Sequence, residues 1–185
     1  MNNHTNTRLL LSWGKPIITG LVIAFILRSF FFSSYIVEGS SMTPTLQEGN
    51  LLVINKFGYQ IGEIKRFDVI VFQANKDQDY VKRVIGLPGD RISYQNGSLY
   101  INDTVVEEPF LQVSGKTFEG DRLTEDFTLQ DKTGEEIVPE GKLFVIGDNR
   151  LGSYDSRHFG FIDIEQVVGK VNLRYFPFED MDIEF

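Results

Sequence analysis

Phe67–Gln73 reads FDVIVFQ and Tyr80–Ile85 reads YVKRVI. Both runs are short, dense in Val, Ile and Phe, and bounded by turn residues. That is the texture of strands. Outward from this pair the same texture recurs in Leu51–Lys56 (LLVINK), Leu143–Ile146 (LFVI) and Val167–Phe176 (VVGKVNLRYF). Arg91–Gln95 and Ser98–Asn102 flank Asn96-Gly97. Asn-Gly between strand-like runs predicts a hairpin, because a type I′ turn needs positive φ at both central residues. No stretch after Val37 has a helical period. The expected fold is therefore mainly β, with tight turning around Gly86, Pro88 and Gly89. Residues 103–140 are acid-rich and poor in apolar pairs, so they are expected to form a small β or loop insertion. The acidic tail Glu179–Phe185 is expected to fray.

The N-terminal end is different. Pro16–Val37 reads PIITGLVIAFILRSFFFSSYIV, with Arg28 its single charge. As a helix such a run is long enough to cross about 30 Å of hydrocarbon. Arg8 and Lys15 precede it and Glu38 follows, which predicts an inside N-terminus. The bulky Tyr35, Ile36 and Val37 that close the run do not suit signal cleavage, so an uncleaved anchor is favoured over a removed leader. The expected division is a cytoplasmic tail at 1–15, one transmembrane signal-anchor at 16–36, and an extracytoplasmic β domain at 37–185 with the insertion 103–140.

Charge follows the same division. Residues 1–36 hold three basic residues and no acid; the remaining 15 basic residues face all 26 acids, a balance of −11. A domain that acidic lacks the clustered Lys and Arg that phosphate contacts need, so no nucleic-acid partner is expected. With no cysteine, disulfides, thiolate metal sites and a cysteine nucleophile are excluded. His4 and His158 are the only histidines, so no metal centre is expected, and no organic cofactor either. A monomer is expected.

Three segments carry candidate chemistry. Ser40-Ser41-Met42-Thr43-Pro44-Thr45-Leu46 lies where the chain would leave the bilayer. Lys82-Arg83-Val84-Ile85-Gly86-Leu87-Pro88-Gly89-Asp90 sets two cations in an apolar strand. Strand alternation puts Lys82 with Tyr80 and Val84, and Arg83 with Val81 and Ile85, so one cation is expected to turn inward or towards a cleft. An exposed edge lysine that guards against aggregation is the plainer alternative for this segment alone. Gly147–Gly160 (GDNRLGSYDSRHFG) is a polar loop after an apolar strand, in which Asp155 and Arg157 are spaced to pair.

Together the anchor, the Ser-Met-x-Pro-Thr-Leu run, the strand Phe67–Phe72, Lys-Arg-Val-Ile-Gly-Leu-Pro-Gly-Asp and Gly-Asp-Asn…Ser-x-Asp-Ser-Arg-x-x-Gly resemble the bacterial type I signal peptidases, in their compact Gram-positive form. The resemblance covers most of the chain. It implies a membrane-bound serine endopeptidase that cuts secretory pre-proteins after A-x-A sites. It implies Ser41 as nucleophile and Lys82 as general base, with Ser153 hydrogen-bonding that lysine. It implies an Asp155–Arg157 ion pair holding the loop, with Asp148 and Ser156 in support. Met42, Tyr35, Val37, Leu46, Tyr80 and Val81 would line the substrate pockets. Gly39 stands where some members carry a serine that helps to bind the oxyanion.

The chemistry asks for an uncharged amine. At an ordinary pKa roughly one lysine in 2,500 is neutral at pH 7, and burial among apolar groups raises that fraction. Two other enzyme readings and one non-enzyme reading compete: a Ser-His-Asp triad using His158, a self-cleaving repressor protease, and a catalytically silent β domain that binds exported precursors.

Overall fold

The structure is a computed structural model and describes residues 16–23, 32–56, 64–114 and 123–183. Residues 16–23 are helical, and Ile17, Ile18, Leu21, Val22 and Ile23 are each more than half exposed. No helix among the described residues is long and apolar enough to cross a membrane. The expected cytoplasmic tail 1–15, and residues 24–31 of the expected anchor, lie outside the described residues. The last five residues of the expected anchor are not helical. Phe32–Ile36 is strand β1, paired antiparallel with β2 (Leu51–Asn55) from Phe32↔Asn55 to Ile36↔Leu51. The β domain therefore starts at residue 32, five residues earlier than expected.

The remaining strands are β3 (Val69–Gln73), β4 (Asp79–Gly86), β5 (Ile92–Gln95), β6 (Ser98–Ile101), β7 (Thr104–Val106), β8 (Phe127–Thr128), β9 (Lys142–Ile146), β10 (Ile162–Asp163) and β11 (Val167–Phe176). Among the described residues they form a seven-stranded sheet in the order β1-β2-β11-β3-β4-β9-β10 and a four-stranded sheet in the order β7-β6-β5-β8. Every pairing is antiparallel. The ten-residue β11 pairs with β2 on one side and β3 on the other. Its register slips between Val171 and Leu173 and again between Arg174 and Phe176. Such bulges bend a strand and increase its twist, so the large sheet can curl around its own apolar contents.

The Asn96-Gly97 turn has φ of 53° and 77°, the type I′ signature, and joins β5 to β6 at Gln95↔Ser98. This hairpin belongs to the small sheet, which therefore begins before residue 103. Two one-turn helices, α1 (Leu129–Thr133) and α2 (Ser156–Phe159), were not legible as periodicity because each is too short to show a period. The tail does not fray over its described part: Asp182 bridges back to Arg174.

Three apolar clusters fill the domain. Ile85, Ile92, Tyr94, Phe127 and Phe144 join the two sheets. Ile70, Phe72, Val84, Leu143 and Val145 cover one face of the large sheet. Val37, Met42, Leu46, Leu52, Ile54, Val69 and Val71 fill the other. A side chain of this size contributes roughly 1.5–3 kcal/mol when fully buried, so the last cluster fixes the turn that carries Ser41.

Candidate active site

After β1 the chain bonds Val37 N to Asn50 O (2.9 Å) and reverses at Gly39, whose φ is +80°. That conformation favours glycine, although an added Cβ would meet no atom within 4 Å. Residues 41–46 then form tight turns, with Leu46 N donating to Met42 O at 2.9 Å. Met42 and Leu46 are plugged into the core at 1% and 0% exposure, which leaves Ser41 half-buried at the surface. Arg174 on β11 closes the turn from behind by donating to Thr45 O at 2.6 Å.

Lys82 comes from the middle of the large sheet. β3 pairs with β4 over Asp79–Arg83, whereas β9 pairs only from Arg83 onwards. The β9 side of Asp79–Lys82 is thus an unoccupied strand edge among the paired strands. Lys82 is 4% exposed, and its Nζ donates to Ser41 Oγ at 2.7 Å and to Val81 O at 3.0 Å. Burial lowers its pKa to about 8, against the pull of the Asp155 and Asp148 charges, which raise it. An amine with that pKa is neutral often enough near pH 8 to accept a hydroxyl proton.

Each of those two carboxylates is neutralised by its own arginine. Asp148 receives Arg83 Nε (2.9 Å) and one terminal nitrogen (2.7 Å). Asp155 receives Arg157 Nε (2.9 Å) and one terminal nitrogen (2.8 Å). Burial pushes the Asp155 carboxyl up, but the bonds and charge of Arg157 outweigh it and hold the pKa below the usual range. Asp155 also caps α2 and accepts from Gly147 N at 3.0 Å. Ser156 Oγ accepts from Val145 N at 2.9 Å, which ties the loop to β9.

The structure brings Ser41, Lys82, Asp155, Arg157, Asp148 and Ser156 into one connected cluster. Of the expected pocket residues, Val37, Met42 and Leu46 form an apolar floor with Tyr35 and Val81 packed against it. Tyr80 packs on the opposite cluster, with its ring centroid 5.2 Å from Lys82 Nζ. Two expectations need correction. Lys82 and Arg83 are both buried, not one of them, because both faces of β4 are covered. Ser153 does not hydrogen-bond Lys82, whose donors go to Ser41 and Val81. The Ser153 hydroxyl is buried against Gly147 without a hydrogen bond of good geometry, yet close enough to Asp155 to help lower that carboxyl's pKa.

Sequence reasoning passed over Gly147 and Asn149, which stood inside a quoted motif without a role. A Cβ on Gly147 would collide with Ser153 and with the Ser41 carbonyl oxygen, so only glycine lets the two loops touch. Asn149 holds them together: its N–H donates to Ser41 O (3.0 Å) and its side-chain amide donates to Ser40 O (3.0 Å).

His158 is not placed as a base. Its side chain is half-exposed and stacks on Tyr154, its Nδ1 accepts from the Asp155 main-chain N–H at 3.4 Å, and it lies 3.9 Å from the Asp155 carboxylate, which Arg157 occupies. His158→Ala is therefore expected to keep kcat within about threefold of wild type, since loss of a general base costs about a hundredfold or more. Steady-state cleavage kinetics check this, and a hundredfold drop would restore the triad.

A buried lysine against a serine hydroxyl, beside an open strand edge in a curled β sheet, defines a class: the serine peptidases. Within it, the chain belongs to the signal peptidase family, peptidase S26, which matches residues 10–176. It is similar to Signal peptidase I of Bacillus caldolyticus, with 56% identity over 170 residues, covering 92% of this chain and 93% of the relative. It is 43% identical over 180 residues to Signal peptidase IB of Staphylococcus aureus (strain MRSA252), covering 95% and 94% of the two chains. Among solved structures, a signal peptidase I from Enterococcus faecalis V583 aligns with a TM-score of 0.55 and 40% identity, over 58% of this chain and 96% of that one.

Proposed function

We propose that this signal peptidase works from a membrane anchor on the outer side of the bilayer, cuts exported precursors after A-x-A sites, and uses Ser41 as nucleophile with Lys82 as general base. The observation that carries the reading is the 2.7 Å bond from a buried lysine amine to a serine hydroxyl. Neutral Lys82 removes the Ser41 proton as Oγ attacks the scissile carbonyl. The resulting ammonium protonates the leaving amine, and an acyl-enzyme remains. The lysine, neutral again, takes a proton from water as it attacks the ester, and returns that proton to Ser41 Oγ as the new carboxyl terminus leaves. The Ser41 main-chain N–H is the donor assigned to the oxyanion, with Gly39 shaping the turn beside it.

Substrate selection follows from the surroundings. An extended peptide can add to the free edge of Asp79–Lys82, with main-chain bonds giving affinity and alternate side chains giving selectivity. The side chains on one face would meet Tyr35 and Val81, which the packed cluster of Val37, Met42 and Leu46 backs from below, a shallow surface that suits a methyl group and refuses larger ones.

The anchor is supported by the apolar helix at 16–23, whose Ile17, Ile18, Leu21, Val22 and Ile23 are each more than half exposed. Phe32–Ile36 belongs to the sheet, so the span we propose ends before residue 32 and keeps Arg8 and Lys15 inside.

The direct test is Ser41→Ala in detergent-solubilised full-length protein, assayed on a pre-protein. Cleavage is expected to fall at least about a thousandfold with the fold intact. Undiminished cleavage would remove Ser41 as nucleophile.

A further inference from the structure

The small sheet looks at first like an appendage, but its connecting segment reaches the catalytic loop through one buried side chain. Arg150 lies in that loop, between Asn149 and the Asp155–Arg157 pair, and is 4% exposed. Its guanidinium leaves the loop and enters the small-sheet side of the domain. One terminal nitrogen donates to Glu108 at 2.5 Å. The other donates to Thr124 Oγ1 (2.9 Å), Tyr94 OH (3.0 Å) and the second Glu108 oxygen (3.3 Å). Tyr94 OH in turn donates to Glu108 at 2.9 Å. Glu108 and Thr124 belong to the insertion and Tyr94 to β5, so three parts of the small-sheet region meet on a residue of the catalytic loop.

From Arg150 the path to the reacting atoms is short. The Arg150 carbonyl accepts from Arg157 at 2.8 Å, and Arg157 holds Asp155. Asp155 holds Gly147 N, and Gly147 touches Ser153 and the Ser41 carbonyl. On the other side Asn149, next in sequence to Arg150, donates its N–H to Ser41 O. Phe110, also from the insertion, lies under the Arg83 guanidinium at 4.0 Å, and Arg83 follows Lys82 in β4. None of Arg150, Glu108, Thr124, Tyr94 and Phe110 pairs with Asp79–Lys82.

We propose that Glu108 is a positioning residue that acts through Arg150 to hold the 147–157 loop against Ser41, so that the insertion serves the chemical step and not substrate binding. This rests on the Ser41–Lys82 reading. A shift of about 1 Å in a positioned group can cost on the order of a hundredfold in rate. Releasing Arg150 should act on kcat for that reason and leave KM nearly alone.

The test compares Glu108→Ala, Glu108→Gln and Ser41→Ala in the full chain, with kcat and KM measured separately on a signal-peptide substrate. Assays run well below each variant's own melting temperature, so that loss of fold does not imitate loss of positioning. Glu108→Ala is expected to lower kcat about ten- to a hundredfold with KM within about twofold. Glu108→Gln, which keeps an acceptor for Arg150 and for Tyr94, is expected to recover most of that loss. A wild-type kcat in folded Glu108→Ala overturns the proposal. So does a loss carried by KM, which would mean a binding role, or a loss that vanishes at the lower temperature. If Ser41→Ala remains active, the dyad reading fails whatever Glu108 does. If Ser41→Ala is dead and Glu108→Ala is normal, only the positioning role fails.

Discussion

Lys82→Met is expected to leave the protein folded, inactive and more stable than the wild type. Activity should fall by at least about a thousandfold, because methionine fills the same space but cannot take the Ser41 proton. The stability change has the opposite sign from most core substitutions. Lys82 has a pKa of about 8 in the folded chain, lowered from 10.5 by burial. The folded state therefore binds this proton less well than the unfolded state does. Below pH 8 both states carry the proton, and the full penalty of a buried ammonium is present. As pH rises from 8 to 10.5 the folded state is neutral while the unfolded state is still charged, and the penalty fades. Its full size is on the order of 3 kcal/mol. Subtracting the bonds lost to Ser41 and Val81 leaves a net gain on the order of 1–3 kcal/mol at pH 7. In a chain of this size that is a melting temperature raised by a few degrees. Denaturant unfolding of both proteins at pH 7 and pH 10 measures it; a gap that widens with pH contradicts the assignment. The same pKa sets the activity profile of the wild type. kcat/KM should rise about tenfold per pH unit below 8 and level off above it, as the neutral amine becomes the major form.

Arg157→Met is expected to move that profile to higher pH and to cost about 3–5 kcal/mol of stability. The stability loss comes from leaving the Asp155 carboxylate buried without its partner. At about 2–4 °C per kcal/mol the melting temperature drops by roughly 10 °C. The profile shift comes from the field at Lys82. Asp155 already raises the lysine's pKa, and Arg157 offsets that pull by neutralising the carboxylate. Without the guanidinium the ammonium gains stability, and the rate at pH 7 falls tenfold for each unit the profile moves. Asp155→Asn combined with Arg157→Met separates charge from structure. It removes both charges while the amide oxygen can still accept from Gly147 N, so the profile should return to or below the wild-type position. If the double variant keeps the upward shift, electrostatics is not the cause.

These two substitutions show where the sequence was informative. The mainly β texture was legible because strand character is local: the Val- and Ile-rich runs at 51–55, 69–73 and 143–146 are strands, and Val167–Phe176 is one strand. The Asn-Gly hairpin was legible because its φ values depend on two adjacent residues. The Asp155–Arg157 pair was legible because its members are two residues apart. The end of the expected anchor was misplaced because Phe32–Ile36 follows an apolar run with no glycine or proline to mark the boundary, and only its pairing with β2 makes it a strand. The tail at 179–183 was misread for the same reason: its order comes from Arg174, a partner on another strand.

By itself the sequence determined strands β2–β6, β9 and β11, the tight Asn-Gly turn and the order of the three reactive segments, all of which follow from neighbours along the chain. Only the tertiary structure decided that residues 41 and 82 meet at 2.7 Å, that Ser153 is not the lysine's partner, and that Arg150 joins the loop to the small sheet. The physical reason is that burial, and the pKa it sets, belong to everything packed around a group. That packing comes from the curl of the large sheet, which no single segment encodes.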